Sequence, residues 1–250
     1  MKTLFATVML CVSSLHAAIR TETVSYKDGD QELEGFLAWD DSVAGARPGV
    51  LVVHDWTGLQ DYTKDRTKQI AGLGYVGFAA DIYGKGVRPV EMKDCAAEAG
   101  KYKENLPLLR RRVSLAMDQL KARKNVDAKQ LGSIGYCFGG TCVLELARSG
   151  ADEAGVVSFH GGLATKMPAE PGAIKARLLV CHGGADDNVN KEVPAFKEEM
   201  EKSKAKMEFV TYEGARHGFT KPGPAYQEKA DKESWAAMEK FFKEVFTPKK

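Results

Sequence analysis

The sequence predicts an α/β protein: a mostly parallel central sheet flanked by helices on both faces. Apolar runs such as Val50-Leu51-Val52-Val53 and Tyr75-Val76-Gly77-Phe78-Ala79-Ala80 are continuous rather than alternating, as in strands buried on both sides. Helical patterns of about ten to twenty residues separate these runs, which is what βαβ crossovers require. The third observation is a turn. After the apolar stretch Leu131 to Tyr136, the glycines of Gly135-Tyr136-Cys137-Phe138-Gly139-Gly140 interrupt the pattern, and a helical pattern takes over at once.

Taken in order, the chain opens with a segment that reads differently from the rest. Met1-Lys2, the apolar stretch Leu4 to Val12 and the small residues up to Ala17-Ala18 have the layout of a secretory signal. Cleavage is expected after Ala17 or Ala18, so residues 1–18 are a leader, residues 19–250 form a single domain, and the protein is expected in the periplasm or outside the cell. The apolar run is too short to remain as a membrane anchor. Next, Thr21 to Tyr26 and Leu33 to Ala38 flank Lys27 to Glu32, where Asp28-Gly29 signals a turn between antiparallel strands.

Pro48-Gly49 introduces the strand Val50 to His54. The helix Tyr62 to Ala71 follows, stopped by Gly72 to Gly74, and then the strand Tyr75 to Ala80. A loop over Asp81 to Gly86 leads to helices at Glu91 to Glu98 and Leu106 to Ala122. Leu131 to Tyr136 is the strand before the turn and Gly139 to Ser149 the helix after it. Strands at Val156 to Phe159, Arg177 to Cys181 and Met207 to Tyr212, with a helix over Val193 to Ser203, complete the alternation. Tyr226 to Phe246 closes it as an amphipathic helix.

Composition narrows the function. With 250 residues, 44% of them hydrophobic, the chain is long enough for one substantial core, and no linker, repeat or low-complexity segment divides it. Its 36 basic and 34 acidic residues are spread along the chain; the formal charge of +2 falls to +1 without Lys2. No block of one sign suggests nucleic acid or an anionic membrane, so a small-molecule partner is expected. Nothing specifies an oligomeric state. Export leaves Cys95, Cys137, Cys142 and Cys181. Two disulfides are possible, but a chain so sparse in cysteine does not depend on them. Cys142 and Cys181 lie among apolar residues and read as small buried hydrophobes, while Cys95 in its polar helical stretch is left open.

The Gly-x-Cys-x-Gly turn reads as a nucleophile elbow with cysteine at its apex. A sharp bend from strand to helix lifts the central side chain above the sheet, and the flanking glycines stand where a Cβ would clash. At a helix N-terminus the unpaired N–H groups and the dipole favour a thiolate. A thiol also needs a base, and the base an orienting partner. Just past the strand Arg177 to Cys181 lies His182-Gly183-Gly184-Ala185-Asp186-Asp187-Asn188-Val189; past Met207 to Tyr212 lies Glu213-Gly214-Ala215-Arg216-His217-Gly218-Phe219. Cys137 is assigned as nucleophile, His217 as base and Asp186 as the orienting carboxylate, with neighbouring Asp187 the alternative. That chain order is the one found in α/β-hydrolases. The oxyanion donors are expected to be the N–H of Phe138 and the N–H of Trp56, in the loop after Val50 to His54.

The motifs Gly135-Tyr136-Cys137-Phe138-Gly139-Gly140, Asp81-Ile82-Tyr83-Gly84, Gly184-Ala185-Asp186-Asp187-Asn188-Val189 and Arg216-His217-Gly218-Phe219 together resemble the dienelactone hydrolase family, over about Thr21 to Phe246. The resemblance implies an α/β-hydrolase fold and hydrolysis of a lactone or small carboxylic ester through a Cys-His-Asp triad and an acyl-enzyme, with neither metal nor cofactor. It also implies a modulating carboxylate beside the nucleophile. The family carries glutamate there and this chain the shorter Asp55. Where the family's dienelactone hydrolases place an arginine for the substrate carboxylate shortly after the histidine, this chain has Lys221, a point charge without a planar fork. The segment Gly84 to Pro107 is expected to cover the site, with Lys85, Arg88, Lys101 and Tyr102 as further candidates to meet an anionic substrate.

Two other readings are open. His54, His160, His182 and His217 all fall near strand ends and, with Asp55 and Asp186, are candidates for a hydrolytic metal site. No pair among them has close ligand spacing, and a metal leaves the cysteine elbow unexplained. A non-catalytic binding module on a hydrolase scaffold is the other. The glycines of the elbow do not form the Gly-x-Gly-x-x-Gly pattern of a dinucleotide site.

Overall fold

The computed structural model describes residues 18–246; the leader proposed for residues 1–18 lies outside them except for Ala18. Eight strands of the described residues form one sheet: β1 (Ile19–Asp28), β2 (Gln31–Asp40), β3 (Arg47–Val53), β4 (Val76–Ala80), β5 (Val126–Tyr136), β6 (Gly155–Phe159), β7 (Arg177–Gly183) and β8 (Met207–Tyr212). Across the sheet their order is β1-β2-β4-β3-β5-β6-β7-β8. The hairpin β1–β2 and the β2–β4 pairing are antiparallel, and every later pairing is parallel. Gly29 takes the hairpin turn at φ 59°.

Among the described residues six α-helices cover the sheet: α1 (Asp61–Gly72), α2 (Met92–Glu104), α3 (Leu106–Lys121), α4 (Phe138–Arg148), α5 (Val193–Lys202) and α6 (Glu228–Phe246). None is long and apolar enough to cross a membrane. The strands divide their apolar residues by alternate position. Leu51, Val53, Leu178 and Val180 pack into the cluster beneath α2 to α5, and Val50, Val52, Leu179 and Cys181 into the one beneath α1 and α6. A strand contributing to two cores has no polar face, which is why these segments read as continuous apolar runs.

The departures from expectation have local causes. β5 begins five residues early: Val126 and Asp127 pair with Arg47 and Pro48 before the register jumps, and polar Asp127 to Gln130 mask the strand. β7 runs on to Gly183, so His182 lies within the strand rather than after it. α2 extends to Glu104 because Cys95, Ala99 and Tyr102, at helical spacing, are its buried stripe. The carboxyl ends of β3, β5, β6, β7 and β8 come together on one edge, where ligands bind in folds of this kind.

Candidate active site

Cys137 stands between β5 and α4 at φ 55° and ψ −113°, a conformation rare for a residue with a side chain. Such strain costs on the order of 1–3 kcal/mol and persists only where surrounding structure enforces it. Here the Cys137 N–H donates to the Phe159 carbonyl at 3.0 Å, and close backbone packing closes the bend. A Cβ on Gly135 would lie 2.0 Å from the Gly139 carbonyl oxygen; one on Gly139 would lie 2.2 Å from that of Val53. Phe138 opens α4, so its N–H is among the first-turn donors that no intrahelical carbonyl reaches.

The three side chains assigned from the sequence lie in a line. His217 Nε2 is 3.0 Å from Cys137 Sγ, and His217 Nδ1 donates to Asp186 Oδ2 at 2.6 Å. Asp186 is buried and also accepts from the Val189 N–H at 3.2 Å. Burial alone disfavours its charge, but the bond from His217 and the ring's charge hold its carboxyl below the usual range. Burial likewise opposes charge on the imidazole, yet Asp186 and the Cys137 sulfur outweigh it, and the His217 pKa is pushed up to about 10. The charged form of the His217 ring is thereby favoured, held between a carboxylate and the sulfur. Asp187 is exposed on the adjacent turn. The turn itself is pinned from below, where His182 Nε2 bonds Asn190 Oδ1 at 2.6 Å and Asn190 Nδ2 donates to the Gly184 carbonyl at 3.0 Å.

The loop after β3 faces this line. Asp55 is buried and turns its Oδ1 back to the N–H (2.8 Å) and hydroxyl (2.6 Å) of Thr57, fixing the backbone around Trp56. His54 anchors the same loop: Nδ1 donates to the Asp55 carbonyl at 2.6 Å, and Nε2 accepts the Ile82 N–H at 3.2 Å. Those two bonds assign a neutral ring, and burial lowers its pKa further. Asp55 Oδ2 receives Lys221 Nζ at 2.6 Å. Burial raises the Asp55 carboxyl, and the bond and charge of Lys221 bring it below its ordinary value. Asp55, Trp56, Cys137, His217 and Lys221 share one cavity of about 480 Å³.

Two expected contributors are elsewhere. Arg88 turns its guanidinium onto the carbonyls of Leu59 (2.6 Å), Val87 (2.7 Å) and Gly84 (3.1 Å) and onto Asp81 (3.4 Å), beside a separate hollow. It clamps the loop after β4 instead of meeting substrate. Tyr102 is buried, stacks on Tyr83 and donates to the Tyr83 carbonyl at 3.1 Å; the inward stripe of α2 directs it to the core. Lys85 and Lys101 pair with Glu32 and Glu98. From the segment expected to cover the site, Met92 alone lines the cavity.

Two further contributors stand outside the triad expected from the sequence. His160, at φ 40° beyond β6, is buried edge-on to His217, with ring centroids 5.5 Å apart. Its Nε2 meets Thr220 Oγ1 at 2.7 Å, and Thr220 Oγ1 meets Tyr62 Oη at 2.7 Å. Burial, then the neighbouring His217 charge, lower the His160 pKa to about 3, so it remains neutral. Its one visible signal was a histidine at a strand end. Pro222 to Ala225 form another wall, from a stretch with no motif. Among the described residues, no three His, Cys, Asp or Glu side chains gather as metal ligands, and Cys95, Cys137, Cys142 and Cys181 are all free thiols.

Comparison with known proteins agrees with this architecture. A solved dienelactone hydrolase-like promiscuous phosphotriesterase from metagenomic libraries is 35% identical, with a TM-score of 0.88, covering 92% of this chain and 100% of that one. An uncharacterized protein of Caenorhabditis elegans is 38% identical over 154 residues, 55% of this chain and 94% of its own length. A protein of Saccharolobus solfataricus provisionally named carboxymethylenebutenolidase is 24% identical over 256 residues, 89% of this chain and 98% of that protein. The family model described as dienelactone hydrolase family matches residues 33–246, and the chain belongs to that family.

Proposed function

We propose that this carboxylic ester hydrolase works through Cys137, His217 and Asp186 and a covalent acyl-enzyme, on a small ester or lactone. The observation carrying the reading is the line from Cys137 Sγ to His217 Nε2 (3.0 Å) and from His217 Nδ1 to Asp186 Oδ2 (2.6 Å), at the apex of a strained elbow. The thiolate attacks the ester carbonyl carbon, and the carbonyl electrons move onto oxygen, where the N–H groups of Phe138 and Trp56 receive the charge. Collapse expels the alkoxide, which takes the proton from His217 Nε2 and leaves a thioester on Cys137. His217 then removes a proton from water; the hydroxide attacks the thioester, and the second collapse releases the acid and restores the thiolate.

Asp55, bonded to Thr57 and Lys221, bears on the thiol as a fixed charge in the same cavity. Cys137→Ala is expected to abolish turnover of an activated aryl ester while circular dichroism and melting temperature stay near those of the parent. Undiminished turnover sinks the assignment. The phosphotriesterase relative makes phosphotriester cleavage a second reaction to assay against the same variant.

Export is part of the proposal. The layout of residues 1–18 supports it, and the exported protein is expected to begin at Ala18 or Ile19 by intact mass. A chain recovered with Met1 and Lys2 in place contradicts it.

A further inference from the structure

The cavity over Cys137 has charge on its floor and apolar surface on its walls. Trp56, Met92, Pro222 and Pro224 form much of the rim, and Met92 is 75% exposed where it borders the opening. The volume, about 480 Å³, is that of a small-molecule site. A substrate carboxylate entering here needs a cation to replace the water it sheds.

Each cation in reach is already engaged. Lys221 Nζ is held by Asp55 Oδ2 at 2.6 Å, with Thr57 Oγ1 at 3.3 Å. His217 is held between Asp186 and Cys137. Arg66, in the adjoining hollow beside Tyr62, bonds Asp231 and the Thr220 carbonyl, and Arg216, outside the rim, turns its guanidinium onto the Pro224 carbonyl. His160 is neutral, its Nε2 on Thr220. The two cations lining the cavity, Lys221 and His217, are each paired with a carboxylate, Asp55 and Asp186, so a substrate carboxylate would have to compete with these for a partner.

We propose that the substrate is a neutral ester or lactone, carrying an apolar or aromatic group seated against Trp56, Met92 and Pro222, and that a free carboxylate on the substrate is selected against. The inference rests on Cys137 as nucleophile and adds a substrate class to it. Lys221 serves here as the counter-ion that keeps Asp55 charged and the Trp56 loop in place, not as an anchor for an anion.

The test uses esters matched in length: the 4-nitrophenyl hemiester of glutaric acid, with a free carboxylate, and its methyl-capped counterpart. The capped ester is expected to have kcat/KM higher by on the order of tenfold or more, since like charges in a partly desolvated site repel strongly. The gap should narrow as salt is added. Asp55→Asn, which removes the competing carboxylate and frees Lys221, is expected to shrink the gap through the hemiester's KM. A free hemiester turned over as well as its capped partner by the parent enzyme overturns the inference, and so does a gap unmoved by both salt and Asp55→Asn. Turnover persisting in Cys137→Ala would remove the nucleophile assignment alone, because the charge preference is still read from the parent's ratio.

Discussion

Asp186 and Asp187 are adjacent in sequence and far apart in circumstance. Asp186 is buried with one oxygen on His217 and the other on the Val189 N–H, while Asp187 faces solvent. Asp186→Asn leaves a partner of the same shape with the wrong charge for an imidazolium, so kcat should fall on the order of a thousandfold, while Asp187→Asn stays within about threefold. Steady-state kinetics on the two variants checks this, and the reverse ranking would reassign the acid. Residue types and chain order made Cys137, His217 and an aspartate of this turn legible in the sequence. The choice between neighbours was not, because it depends on which way the turn faces. Arg88 and Tyr102 fall outside the cavity for a similar reason: a cation or phenol near a site reads as a binder until its partners are seen, and theirs are backbone carbonyls and, for Arg88, also Asp81.

At the scale of elements, the elbow is the part most fully written in the sequence, since its glycines are dictated by backbone passing backbone. Gly139 packs where β3 ends, and the Cβ of Gly139→Ala would lie 2.2 Å from the Val53 carbonyl oxygen and 2.6 Å from that of His54. Neither oxygen can yield without moving the loop that carries Asp55 and Trp56. The substitution should therefore cost about 2–4 kcal/mol of stability and most of the activity. Denaturant unfolding alongside the ester assay measures both, and a variant with parental stability would refute the packing argument. Other elements were legible in kind but not in extent. The start of β5 was hidden because Asp127 to Gln130 look like loop, and the wall at Pro222 to Ala225 because nothing local marks it. Such segments are placed by contacts distant in sequence, which periodicity does not register.

For the molecule as a whole, two buried groups limit the pH range of the fold. Glu153, just before β6, is buried with the Ser133 hydroxyl of β5 as its one polar neighbour. Burial, only partly offset by Ser133, raises its pKa from 4.5 to about 8. In the unfolded chain it ionises freely, so stability is whole below pH 4.5 and declines as pH rises toward about 8. His160 acts at the other end. Burial and His217 lower its pKa from 6.5 to about 3, so its contribution is present above pH 6.5 and is lost as pH falls toward about 3. Glu153→Gln should raise stability at pH 8 by about 1–3 kcal/mol and leave stability at pH 4 nearly unchanged. Melting curves across that range decide it, and an equal shift at both ends contradicts the burial argument.

The fold places the ends of five strands so that one thiol, one imidazole and one carboxylate meet, and the proposed chemistry depends on a covalent bond at that thiol. The most direct measurement is intact-protein and peptide mass spectrometry after mixing the enzyme with a slowly deacylating aryl ester and quenching in acid. The account predicts a single acyl group on the peptide carrying Cys137, formed as fast as the first equivalent of phenol is released and missing from Cys137→Ala. Turnover with no adduct at Cys137 at any time, or an adduct that forms equally in Cys137→Ala, would contradict it.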